Sequence, residues 1–211
     1  MSFPYSAEKV LAVVRGKGYP VYLDRELDLN IIGIRTNVGG RTHQSRQTDR
    51  WDDWIVVIWK EGGRLRMRAF EATTDPGSYY LSRKLAGVFG GRRRTAIMKE
   101  GHYPGLWMRG RHRRYSAFRQ KAPAWFYVDR DLDGRLDMDP NGELQHAVIY
   151  ANLHSTRAGR LFSRVWTWSA ACQVIRRWSD FTWLRALADR QIEAGIGNSF
   201  SYSLLSRKDF L

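Results

Sequence analysis

Trp54-Ile55-Val56-Val57-Ile58-Trp59 is six apolar residues in a row, four of them β-branched. A run this short has the length of a strand, and its lack of polar alternation requires cover on both faces. Glu61-Gly62-Gly63 follows as a turn. Leu65-Arg66-Met67-Arg68-Ala69-Phe70 then alternates with period two, as a half-buried hairpin partner does. The chain must therefore cover this strand on both of its faces. With 211 residues, 43% hydrophobic and 13% aromatic, it has the material to do so. A domain of this length buries ~70% of its unfolded surface, and the aromatic content excludes disorder over most of it.

Further strands are expected at Leu29–Arg35, Ser78–Leu81, Thr95–Lys99, Tyr115–Gln120, Trp125–Val128, Ala147–His154 and Phe200–Leu204, with Phe200, Tyr202 and Leu204 on one face. Val38–Asp52 reads as a long polar loop. Two helices stand out. Ser6 caps a short one that ends at Gly16 and Gly18, and Ser179 opens a later one whose stripe is Phe181, Leu184, Leu187 and Ala188, ended by Gly195. The expected architecture is mainly β, a sandwich or barrel with helical additions, α+β overall. We read one domain, with residues 1–28 as an N-terminal helical extension and 29–211 as the main body.

The charge narrows the partners. Lys+Arg number 35 against 21 Asp+Glu, a formal net charge of +14. Such a surface seeks a polyanion: nucleic acid, an anionic membrane face or an anionic cell wall. Arg92-Arg93-Arg94 and the stretch Arg109–Arg119 concentrate it. No helix-turn-helix, RRM or OB pattern is present, so specific nucleic-acid binding is not expected. No apolar run is long enough for a transmembrane helix, and Val10–Val14 is too short for a signal peptide. The expectation is a monomer made in the cytoplasm without a recognisable leader.

The chain has one cysteine, which excludes a disulfide framework and a Cys-based zinc site. His43, His102 and His146 have no ligand-like spacing. Asp129-Arg130-Asp131-Leu132-Asp133-Gly134-Arg135-Leu136-Asp137 matches the first half of a calcium loop, with oxygen ligands at alternate positions and Gly at the sixth, but Pro140 stands where the closing Glu belongs. The first reading is no cofactor and no metal, with this segment a solvated acidic turn; calcium is the alternative.

Cys172 lies in Trp168-Ser169-Ala170-Ala171-Cys172-Gln173-Val174, after a strand-like run that delivers His154 and Ser155. Small residues before the thiol let a substrate backbone approach closely. A thiol is mostly protonated at neutral pH and needs a base or a cation to act as a nucleophile. His154 is the candidate base for Cys172, Ser169 a residue that holds the loop, and the Ala171 and Cys172 amides the candidate oxyanion donors. His112, Tyr115 and Trp168 are candidates for substrate contact. The bland alternative makes Cys172 a small buried hydrophobe and His154 a satisfied strand-end residue.

Fourteen residues separate His154 from Ser169, which shortly precedes Cys172. This resembles the signature of the L,D-transpeptidase catalytic domain of YkuD type: a His, a spacer of that size, then Ser/Thr-His-Gly-Cys. Thr73-Thr74-Asp75-Pro76-Gly77-Ser78-Tyr79-Tyr80 is similar to the family's Thr-Pro-x-Gly-x-Tyr/Phe segment, and the resemblance runs from about Thr73 to Val174. Ala170, Ala171 and Val174 replace the family's His, Gly and Arg/Asn, as in a divergent phage- or prophage-like branch. The resemblance implies a cysteine enzyme acting on peptidoglycan stem peptides through a thioester, by transfer or by hydrolysis, with the Ser155 carbonyl orienting His154. It implies a place of action at the wall or periplasm, reached by export or by a phage release system. The competing expectation is a non-catalytic basic protein of the same fold that binds wall polymer or nucleic acid.

Overall fold

The computed structural model describes residues 2–36, 49–82, 88–89, 92–93, 95–112, 114–139 and 141–211. In chain order the elements are α1 (Ala7–Gly16), β1 (Asn30–Arg35), β2 (Asp53–Glu61), β3 (Arg64–Thr73), α2 (Ser78–Leu81), β4 (Val88–Phe89), β5 (Arg92–Arg93) and β6 (Thr95–Met98). There follow β7 (Gly101–His112), β8 (Tyr115–Gln120), β9 (Ala124–Asp129), β10 (Leu144–Ala147), β11 (Leu153–Ser155), β12 (Gln173–Ile175), α3 (Trp178–Glu193) and β13 (Phe200–Ser206), and a final 3-10 turn, Arg207–Phe210.

The β2–β3 hairpin has Glu61 opposite Arg64 and a two-residue loop, with Gly62 and Gly63 at φ 59° and 70°. Both positive angles are what a tight hairpin turn needs, and glycine reaches them without a Cβ clash. The Glu26 carboxylate accepts both turn amides, at 2.7 and 3.0 Å. The β2 run is covered on both faces, as its composition requires. Ile55, Val57 and Trp59 pack with Phe118, Tyr202, Leu204 and the α3 residues Phe181 and Leu184. Trp54, Val56 and Ile58 pack with Val10, Leu11 and Val14 of α1 and with Phe210. The N-terminal helix is thus one of the two layers that the hairpin needs. Ser6 caps it, accepting from the Lys9 amide.

The fold is mainly β with helical additions. Eight strands close a barrel in the order β1-β13-β7-β8-β11-β12-β3-β2, and β10-β9-β6 forms a smaller antiparallel sheet beside it. Closure depends on a parallel pair, β1 on β13, joining positions about 170 residues apart. Tyr202 crosses the barrel interior over Gly33, where a Cβ would stand 1.9 Å from the Tyr202 hydroxyl. That hydroxyl donates to Gln173 Oε1 at 2.8 Å. Among the described residues no helix is long and apolar enough to cross a membrane.

Three expectations are corrected. Ser78–Leu81 is a single helical turn, because the Gly77 amide is tied to the Ser169 carbonyl and the Ser78 amide to the Asp49 carboxylate. Ala147–His154 is two strands with an irregular link. The buried Gln120 side chain accepts the Ile149 and Ala151 amides and donates to the Ala147 carbonyl, taking the place of a ladder. The late helix starts at Trp178 with Arg177 as its cap and no side-chain cap bond, so Ser179 lies within the first turn. The twelve-residue β7 went unpredicted, since Pro104, Gly105 and Gly110 interrupt its pattern. His43, Arg94, Pro140 and most of the Val38–Asp52 loop lie outside the described residues, as do the side chains of Arg92 and Arg93.

Candidate active site

β11 and β12 run parallel, with Leu153 opposite Gln173 and His154 opposite Val174. Cys172 immediately precedes β12, so the thiol and the imidazole arrive on adjacent strands. Both line one cleft of about 1370 Å³, together with Ser155, Ala170, Ala171, Trp168, His112 and Tyr115. All three residues expected to contact substrate therefore face the same space as the thiol. Cys172 is 8% exposed and His154 7%, so neither is sealed.

His154 Nδ1 lies 3.0 Å from the Ser155 carbonyl. A carbonyl only accepts, so Nδ1 carries the proton and Nε2 is left with its lone pair. Burial is the main cause holding this imidazole down to about 4, with the Ser155 contact working in the opposite direction and His112 adding to the lowering. Burial pushes the Cys172 thiol up to about 11, offset in part by the Asn152 amide. The resting pair is thus neutral imidazole and neutral thiol. The thiol leans toward the Tyr150 carbonyl, 3.7 Å away, and Tyr150 is held at φ 62°.

The loop before the thiol is fastened at several points. Ser169, fully buried, donates to the Cys172 carbonyl at 2.8 Å. Its own carbonyl accepts the Gly77 amide at 2.9 Å. A Cβ on Gly77 would stand 2.0 Å from the Trp166 carbonyl oxygen, so only glycine allows this approach. Asp49 accepts from the Trp166 amide and, at 2.7 Å, from Arg164 Nε. Among the described residues neither the Ala171 nor the Cys172 amide donates to a protein acceptor.

His112 comes from the end of β7 and stacks parallel to His154, with ring centroids 5.6 Å apart and planes 2° apart. Its Nδ1 is 2.7 Å from Asn152 Nδ2. Asn152 Oδ1 accepts the Gln120 amide at 2.8 Å, which fixes the orientation of the carboxamide and makes Nδ2 the donor to His112.

No family model matches this chain, and no curated protein or solved structure does either.

Behind the site the Thr73–Gly77 segment rests on a buried ionic cluster. Arg35 is fully buried, with Nε 2.8 Å from Asp75 Oδ1 and Nη1 2.6 Å from Glu100 Oε1. It also donates to Thr74 Oγ1 and to the Thr74 and Met98 carbonyls. Asp53 accepts from the Thr74 amide and hydroxyl, at 2.8 and 2.7 Å. Burial pushes Asp75 up to about 7 while Arg35 pulls it back.

Several contributors went unnamed in the sequence reading. Asn152 and Asp49 serve the cleft and its loop through partners far along the chain. Arg157, Arg160 and Arg185 line the cleft, and no carboxylate does among its described lining residues. Of the basic stretch, Arg109 is engaged with Asp189, through Nε at 2.8 Å and Nη2 at 3.0 Å. His102 is bonded to Ser203 Oγ and Tyr22, and His146 stacks on Trp125. Trp107 is core, its N–H given to the Ala151 carbonyl.

Proposed function

We propose that the chain is a cysteine-dependent enzyme that attacks the amide of a peptidoglycan stem peptide and passes through a Cys172 thioester, in the manner of the L,D-transpeptidase family it resembles. The observation that carries this reading is the presence in one cleft of Cys172 and a histidine whose Nδ1 is committed to the Ser155 carbonyl. That commitment leaves Nε2 as a base.

His154 Nε2 takes the thiol proton as Sγ bonds to the substrate carbonyl carbon. The carbonyl oxygen gains the negative charge, and the Ala171 and Cys172 amides, adjacent to the nucleophile in the chain, stabilise it. Collapse of the adduct breaks the C–N bond, and the His154 proton goes to the departing amine. The thioester is then opened by an amine, giving a new amide, or by water, giving an acid. Because base and thiol are both neutral at rest, proton transfer accompanies attack instead of preceding it.

Three guanidinium groups and no carboxylate along the described lining suit a donor peptide that carries carboxylates. The same charge supports retention on an anionic wall without chemistry, which is the second reading. The experiment is incubation of purified peptidoglycan with the wild type and with Cys172→Ala, followed by muropeptide mass analysis. The expected result is new cross-links or cleaved stems with the wild type alone. Equal products from both proteins would overturn the thiol mechanism. No products from either, with salt-sensitive retention on the wall, would favour the binder.

A further inference from the structure

The acidic turn after β9 does more than its exposure suggests. Asp129, Asp131 and Asp137 bring one carboxylate oxygen each within 4.8 Å of one another. Carboxylates at that separation repel when ionised, and an isolated turn would spread them. One of them is wholly inside the protein. Asp129 is 0% exposed; its Oδ1 accepts the Leu132 amide at 3.1 Å, while its buried Oδ2 has no hydrogen-bond partner among the described residues. A buried carboxylate oxygen with no donor is costly unless a cation supplies the missing contact.

The spacing agrees independently. The three aspartates stand at the first, third and ninth positions of the loop pattern, with Gly134 at the sixth and at φ 89°. Asp133, at the fifth, is outside the cluster, and its carboxylate accepts the Arg135 amide at 2.9 Å. The donor set is all oxygen, which selects a hard cation over zinc or copper. A glycine-hinged loop with two partly or fully exposed ligands suits the adaptable coordination of calcium better than the strict octahedron of magnesium.

We infer that Asp129, Asp131 and Asp137 bind one calcium ion, whose role is to hold this loop and, through it, one wall of the cleft. None of the three lines the cleft, so the ion is structural. The connection is short. The Gly134 amide donates to the Leu81 carbonyl at 3.1 Å, and Leu136 packs with Leu81, Ile97 and Tyr127. Leu81 ends α2, whose Tyr79 and Tyr80 line the cleft.

The test is calorimetric titration of the chelator-treated full chain with Ca²⁺, paired with thermal unfolding in Ca²⁺ and in EDTA. One saturable equivalent is expected, with a melting temperature that rises in Ca²⁺ and falls back in EDTA. Asp129→Asn keeps the Leu132 contact and should weaken binding roughly tenfold or more. Asp131→Asn, at an exposed ligand, should do the same and carries the test if the first variant folds poorly. Absence of saturable binding up to millimolar Ca²⁺, unchanged affinity in Asp131→Asn, or equal affinity for Mg²⁺ would each overturn the assignment. The readout is independent of any activity on cell wall.

Discussion

The state of the lone thiol can be read directly. Burial raises Cys172 from an ordinary 9.0 to about 11. Two decades in acidity leave roughly one hundredth of the thiolate that a free cysteine presents at pH 7. A more basic thiolate is also a better nucleophile, with a Brønsted slope near 0.45, which returns about eightfold. The net expectation is alkylation by iodoacetamide roughly tenfold slower than in the unfolded chain at neutral pH. The folded rate should go on rising with pH, about tenfold per unit, through pH 9, where the unfolded chain's profile has already bent. Because the chain has a single cysteine, intact-mass spectrometry reports this rate without ambiguity.

His154 supplies the control. If the resting pair is neutral, His154→Asn changes the alkylation rate at pH 7 by less than about threefold, since no imidazolium is lost from beside the thiolate. A folded-state profile that is flat above pH 6, together with a large loss in His154→Asn, would refute the argument. It would show a thiolate–imidazolium pair already formed in the resting cleft. That outcome would still be compatible with a thioester, so the assay separates the mechanism from the reaction.

His154 should also make stability pH-dependent. Its folded value, near 4, lies below the ordinary 6.5, so the unfolded chain takes the proton first. This stability is complete above pH 6.5 and is lost as pH falls toward 4, about 2 kcal/mol between pH 7 and 5. Urea unfolding at the two pH values should give a shallower loss for His154→Gln, and equal losses would contradict the burial argument. Gly77→Ala drives a methyl into the Trp166 carbonyl and should cost about 2 kcal/mol or more by denaturation while detaching the Cys172 loop; a silent substitution would show that the approach is loose. Arg35→Met leaves Asp53, Asp75 and Glu100 without their cation and should cost about 3–5 kcal/mol, with Arg35→Lys recovering only part. Full recovery by Lys would reduce the cluster to simple charge pairing.

What the sequence disclosed is local. The β2–β3 hairpin was legible because a doubly apolar run, a Gly-Gly turn and an alternating partner are neighbours in the chain. Tyr115–Gln120 was legible only as a strand, since its hairpin partner β7 is interrupted by Pro104, Gly105 and Gly110. Barrel closure was not: β1 meets β13 across nearly the whole chain, and no local pattern marks a parallel partner. The link between β10 and β11 was misread because Gln120, a polar residue at a strand end, satisfies amides about thirty positions away. A side chain that substitutes for a ladder leaves no periodicity to read.

The site divides along the same line. His154, Ser155, Ser169 and Cys172 were named because their spacing resembles a known pattern. Gly77 belongs to the second segment of that resemblance, whereas the fastenings Asp49 and Asn152 act at a distance and carried no comparable signal. Ala170 stands where the resembling pattern has a second histidine, yet the cleft holds one: His112, delivered by β7. Its Nδ1 accepts from Asn152, so its proton sits on Nε2, whereas His154 carries its proton on Nδ1. Two stacked imidazoles thus offer opposite functions to the cleft, one an acceptor and one a donor. Protonating His112 would hold His154 further from protonation, since like charges on stacked rings repel. The absence of a histidine from the cysteine loop therefore does not leave the cleft without a second imidazole. The ring's function is divided by two hydrogen bonds that lie outside that loop, on β11 and its approach.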